Sequence, residues 1–250
     1  MTLAQVATGS GFDLGLAGQR AVVTGGAGTI GGAICRLLAA QGVEVWSLDL
    51  QKAQDASPGV SSVVADVRDR VSLEKARGQI AARGPIDILV NGHGLQIRTA
   101  AMDCTDEALT KVFDVNVMGG WRTAQIFGGP MRERGGSIVN IASVNGIIAA
   151  KTGAAYGASK AALIHFTRIL ALELAPSVRV NAVAPTAVRS GMTADLFADP
   201  SYVESKNKAI PMGRVCTADD VANAVVMLCS PRLAYVTGQV WTVDGGISLP

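Results

Sequence analysis

The chain has 250 residues, 49% of them hydrophobic, and a formal net charge of +2, enough apolar material for a full-sized core and too little charge for a polyanion-binding face. Its basic residues are scattered, so no nucleic acid is expected as a partner; no apolar run reaches membrane-spanning length and the first basic residue is Arg20, so neither a membrane partner nor a secretory leader is expected. Four cysteines stand far apart, at 35, 104, 216 and 229, without paired spacing or a neighbouring histidine, which argues against a metal site and for a reducing, cytoplasmic setting.

Residues 1–17 read as a loose N-terminal arm, and 18–250 as one domain, because no linker, repeat or low-complexity stretch divides it. The first apolar strand is Arg20 to Thr24, followed by Thr24-Gly25-Gly26-Ala27-Gly28-Thr29-Ile30-Gly31, a helical pattern through Ala40 and a second strand from Val43 to Asp49. A glycine-rich turn that opens a helix points backbone N–H groups at a pyrophosphate, where the helix dipole favours an anion. Gly25, Thr29, Ile30 and Gly31 are the expected contacts of a dinucleotide. Asp49 closes the second strand, where a carboxylate accepts from ribose hydroxyls and repels a 2′-phosphate. Leu50 and Gln51 bring no arginine to offset that repulsion, so NAD is expected rather than NADP.

Short apolar segments recur at Ser62 to Val64, Ile86 to Val90, Ser137 to Ile141, Val178 to Val183 and Gln239 to Val243, with helical stretches between them. Uninterrupted apolar strands alternating with helices predict a doubly wound α/β fold, a parallel sheet covered on both faces. Asp66 and Val67 follow the third strand, with Asp66 expected to accept from an adenine amine. The stretch from Val188 to Arg214 breaks the rhythm with Pro200, Pro211 and mixed polarity; it reads as a long irregular lid. A helix restarts behind it, with Thr217 as its N-cap and Asp220 three residues on.

Tyr156 and Lys160 lie four apart at the start of a helical run, on one face and about 6 Å from each other. A cation about 4 Å from the phenol, at an effective dielectric of about 20, favours the phenolate by about 4 kcal/mol. The expectation is a tyrosine acidified toward neutrality, able to take or give a proton. Ser143, on the preceding segment, supplies a hydroxyl to hold the substrate oxygen.

Together these residues resemble the short-chain dehydrogenase/reductase family over nearly the whole chain. Its T-G-x-x-x-G-x-G turn matches Thr24 to Gly31, with Thr29 in place of the middle glycine; its Y-x-x-x-K matches Tyr156 and Lys160, and its serine falls on Ser143. The tetrad asparagine matches Asn116, the N-N-A-G motif appears as Asn91-Gly92-His93-Gly94, the P-G pair as Pro185-Thr186, and the C-terminal V-D-G-G as Val243 to Gly246. The resemblance implies a single Rossmann-type domain, a homotetramer, and hydride transfer between a nicotinamide cofactor and a hydroxy or keto substrate. It makes Tyr156 the acid/base, Ser143 the polarising hydroxyl, Lys160 the grip on the nicotinamide ribose, and Asn116 the holder of a relay water. It also carries cofactor contacts onto Asn91, Gly92, Pro185, Val188 and Ser190. His93 stands in place of an alanine and is expected to pack near the cofactor.

Loops after the fourth and fifth strands flank the active centre of such sheets, which makes Gln96, Arg98, Asn145 and Lys151 the candidate substrate residues. Arg98 and Lys151 suit a carboxylate, and Gln96 and Asn145 suit vicinal hydroxyls. Weaker likeness to gluconate and deoxygluconate dehydrogenases around 94–98 and 192–196 favours a sugar acid, with a neutral polyol next. The alternatives are a secondary-alcohol or 3-ketoacyl-type reductase and a catalytically idle nucleotide-binding member of the family.

Overall fold

A computed structural model of the chain describes residues 13–52 and 57–249. Seven parallel strands form one sheet, in the order β3-β2-β1-β4-β5-β6-β7. They are β1 (Arg20–Thr24), β2 (Glu44–Asp49), β3 (Val60–Val64), β4 (Ile88–Asn91), β5 (Gly136–Ile141), β6 (Val178–Pro185) and β7 (Val240–Val243). The helices between them are α1 (Thr29–Ala40), α2 (Arg70–Ala81), α3 (Asp106–Phe113), α4 (Gly119–Thr123), α5 (Ala154–Leu174), α6 (Ala194–Phe197), α7 (Pro200–Ala209) and α8 (Ala218–Cys229). This is the doubly wound parallel sheet expected from the recurring apolar segments.

Successive strand residues alternate between two cores. Ala21 and Val23 pack with α1 and α8, while Val22 packs with Leu73 and Ile80 of α2 and Ala171 of α5. Both faces of the central strands are therefore dry, and their sequences run largely apolar without the alternation of a half-exposed strand. The exposed strand positions fall on the two edge strands, β3 and β7.

A buried polar network crosses this otherwise apolar frame. Asn91 and Asn140 are register partners on β4 and β5; Asn91 Nδ2 donates to Asn140 Oδ1 at 2.8 Å, and Asn140 Nδ2 donates to Thr167 Oγ1 of α5 at 2.8 Å. The remaining Asn91 oxygen accepts from Thr123 Oγ1 at 2.7 Å. Each amide thus has a partner, as burial requires.

Two expectations need correction. The 188–214 stretch is not irregular: it holds a 3-10 turn, α6 and α7. Its prolines punctuate helices instead of breaking them, since Pro200 is the first residue of α7 behind the Asp199 cap and Pro211 follows the Ile210 C-cap. The proposed arm mostly lies outside the described residues, but its end, 13–17, is not loose. Leu16 is buried, Ser230 Oγ donates to Leu14 O at 2.6 Å and Arg232 Nε donates to Asp13 O at 3.0 Å.

Candidate active site

At the C-terminal ends of the strands a cleft of about 1200 Å³ opens beside the point where the chain reverses direction from β1 to β4. It is lined by all the expected site residues except Asn91 and Asn116. The Asn91 side chain is engaged in the network beneath the cleft, which leaves its backbone as the part of the residue nearest a cofactor.

The dinucleotide end depends on close backbone crossings. Gly25 has φ +70°, and a Cβ on Gly31 would lie 2.1 Å from the Gly25 carbonyl oxygen, so a side chain at either position would fill the turn. Thr29, which replaces a glycine of the motif, is exposed as the first residue of α1. No side chain caps α1, which leaves its first N–H groups open toward the cleft. Asp49 is held in place by Ala27 N–H at 3.1 Å and Leu50 N–H at 2.7 Å. Gly92 passes so close to β1 that a Cβ there would lie 2.8 Å from Thr24 O. These features fit a nicotinamide dinucleotide: a bare helix start for the pyrophosphate and an oriented carboxylate for the ribose.

Asp66 differs from expectation. Arg68 wraps its carboxylate, donating from Nε at 3.0 Å and from Nη2 at 2.7 Å, and this pairing pulls the Asp66 carboxyl below its usual range. An adenine amine therefore meets a carboxylate that already has a partner. Arg68, which also lines the cleft, was not singled out from the sequence because a lone surface arginine carries no signal.

The catalytic end is assembled by two further glycines. A Cβ on Gly146 would lie 2.7 Å from the Lys160 backbone carbon, and one on Gly157 would lie 2.9 Å from Asn145 O. Their absence lets the 143–146 segment rest directly on α5, with the Ser143 hydroxyl, which accepts from Asn145 N–H at 3.2 Å, near enough to the Tyr156 phenol to act on its ionisation. Lys160 is buried, with Nζ donating to Ile141 O at 2.7 Å and lying 5.7 Å from the centre of the Tyr156 ring.

Asn116 sits in a π turn, Asp114–Met118, in the helical rod that continues α3. Its Oδ1 accepts from Leu95 N–H at 2.7 Å, and its Nδ2 donates to Leu95 O at 3.0 Å and Ser159 Oγ at 2.9 Å. Through these three bonds the side chain ties the 94–98 loop to α5.

The acidified phenol expected from Lys160 is not what the geometry produces. Burial pushes Tyr156 above its ordinary value, with the Ser143 bond pulling less strongly the other way. Burial also pulls Lys160 down to about 8. The physical reason is desolvation: the same enclosure that brings the ammonium near also penalises both charged forms. His93 is drawn down to about 3 by burial and by the charge of Lys160. Its Nδ1 meets Thr24 Oγ1 at 2.6 Å, so it braces its loop to β1 as a neutral ring.

Gln96, Arg98, Asn145 and Lys151 all line the cleft, joined by Tyr202 and Lys206 from α7. The last two were hidden by reading 188–214 as irregular. Arg98 donates from Nη1 to Asp195 Oδ2 at 2.6 Å and from Nη2 to Met192 O at 3.0 Å.

This fold and cleft define a nucleotide-binding α/β enzyme, and the comparisons with known proteins agree. A family profile described as enoyl-(acyl carrier protein) reductase matches residues 25–248. The chain is 37% identical over 245 residues to galactitol 2-dehydrogenase (L-tagatose-forming) of Cereibacter sphaeroides, covering 94% of this chain and 96% of that protein. It is 35% identical over 243 residues to L-xylulose reductase of Mesocricetus auratus, covering 94% and 98%. The crystal structure of a gluconate 5-dehydrogenase from Burkholderia cenocepacia, in complex with NADP and tartrate, superposes with a TM-score of 0.90 at 29% identity, covering 95% and 98%. The chain belongs to the short-chain dehydrogenase/reductase family, whose members bind a nicotinamide nucleotide. Among the described residues no helix is long and apolar enough to cross a membrane.

Proposed function

We propose that the protein interconverts a secondary alcohol and a ketone on a polyhydroxylated small molecule, a polyol or a sugar acid, with NAD(H). The observation that carries this reading is the convergence of Ser143, Tyr156 and Lys160 at one end of a single cleft whose other end holds the glycine turn and Asp49. When bound, the nicotinamide nucleotide supplies or accepts the hydride. Tyr156 exchanges the proton with the substrate oxygen, and the Ser143 hydroxyl donates to that oxygen and fixes it beside the phenol. Because burial holds Tyr156 protonated, the phenol stands ready as the acid of ketone reduction. For alcohol oxidation the proton has to leave it first, with Lys160 as the nearest compensating charge.

NAD is preferred on the strength of Asp49, whose fixed carboxylate opposes a 2′-phosphate. The relatives named above support a sugar-like substrate. Assembly as a cytoplasmic homotetramer is part of the same proposal. An apolar surface built from Trp121 stacked on Phe166, with Met118, Ile169 and Leu172 exposed nearby on the same two helical elements, supports self-association. The test is NADH formation by the purified protein with a panel of polyols, sugar acids and cyclic alcohols. Binding of NAD without oxidation of any of them would mark the protein as a nucleotide sensor.

A further inference from the structure

Among the described residues Arg98 is the one guanidinium lining the substrate end of the cleft, and its charge is already answered. It is the more shielded member of its ion pair, its side chain 28% exposed against 66% for Asp195. Two of its N–H groups are engaged, one by Asp195 Oδ2 and one by Met192 O. Asp195 itself, in the first turn of α6, is not part of the cleft lining. A guanidinium carries five N–H donors, so three remain for a ligand although the positive charge is compensated.

That arrangement discriminates by charge. A hydroxyl needs only a donor, and Arg98 has donors left. A carboxylate draws its binding strength from an uncompensated cation, and it would have to displace Asp195 or lie beside it, two like charges against one cation. Lys111 and Lys151 also line the cleft, but both are exposed, where solvent and salt weaken a charge's hold on a ligand. Lys206 lies over the Tyr202 ring at 5.5 Å. The half-buried Arg98 is the group with a fixed direction, and Asp195 decides what it recognises.

We infer that Asp195 is a specificity-determining residue, which turns the site toward neutral polyols and their ketoses and against sugar acids by occupying Arg98. This rests on the polyol or sugar-acid reading above and narrows it to one class.

D-Glucitol and D-gluconate provide a matched pair of probes, differing at one carbon as CH₂OH or carboxylate. Each is titrated calorimetrically into wild-type, Asp195→Asn and Arg98→Ala/Asp195→Asn protein, with and without saturating NADH, under which neither is oxidised. Wild-type protein is expected to bind glucitol at least about tenfold more tightly than gluconate. Asp195→Asn keeps the shape, releases the guanidinium, and should tighten gluconate about tenfold while moving glucitol less than about threefold. The double variant should lose the gain. A wild-type preference for gluconate, an Asp195→Asn protein with unchanged gluconate affinity, a parallel loss of both ligands, or a variant that binds neither would overturn the inference. These readouts do not require turnover. A protein that shows the expected shift but never reduces NAD would sink the redox reading and leave the role of Asp195 standing.

Discussion

Lys160 Nζ donates to the carbonyl of Ile141 at 2.7 Å and lies 5.7 Å from the centre of the Tyr156 ring. The ammonium is thereby anchored to the end of β5, beneath the phenol instead of paired with its oxygen. In this geometry enclosure dominates, and the phenol remains a weak acid.

Replacing Tyr156 with Phe removes the proton donor and leaves the ring in place. We expect kcat to fall by at least about a hundredfold, the lower range for a general acid, with NAD affinity within about threefold of wild type by calorimetry. A variant with wild-type turnover would take Tyr156 out of the chemistry.

Asp49→Ala removes the carboxylate that Ala27 and Leu50 orient. NAD should weaken and NADP should strengthen, narrowing the ratio of their kcat/KM values by about tenfold or more, the equivalent of about 1.4 kcal/mol. An unchanged ratio would place the choice of nucleotide elsewhere.

Asn116→Ala deprives both Leu95 backbone groups and Ser159 of a partner. At about 1 kcal/mol for each bond lost in the interior, the fold should lose about 2 to 3 kcal/mol. The thermal midpoint should drop, and kcat with it, as the 94–98 loop loosens. An unaltered midpoint would show that the three bonds contribute little.

His93 makes stability depend on pH. Its folded-state value of about 3 lies below the ordinary 6.5, so below that value the unfolded chain binds a proton that the folded chain refuses. Stability is therefore complete above about 6.5 and declines as pH falls toward about 3, by up to about 1.4 kcal/mol per unit. Urea midpoints at pH 7 and pH 5 measure the decline, and His93→Ala should flatten it. Equal slopes for the two proteins would rule His93 out as the source.

The sheet was legible because its strands are dry on both faces, which leaves runs such as Ile138-Val139-Asn140-Ile141 with no polar alternation. Gly25 and Gly31 were legible because only glycine fits their crossings. What escaped were features that depend on a partner distant in sequence. Arg98 looks the same whether it faces a ligand or Asp195, 97 positions away. Asp66 beside Arg68 reads as a free carboxylate until the guanidinium is seen to fold back on it. The direction of the Tyr156 shift escaped because spacing reports proximity and says nothing of desolvation. In α7 weak amphipathicity hid a helix that Asp199 and Pro200 begin.

The facing amides of Asn91 and Asn140 give the parallel pair β4 and β5 a lock that greasy contacts alone lack. Sliding one strand past the other by a single position would leave Asn91 Nδ2 and Asn140 Oδ1 without each other in a dry interior, at a cost of about 1 to 3 kcal/mol for each group. Apolar packing tolerates small slips; a directional bond between two specific amides does not. The alignment that puts Ile141 under Lys160 is guarded one layer down, by two amides beneath the cleft.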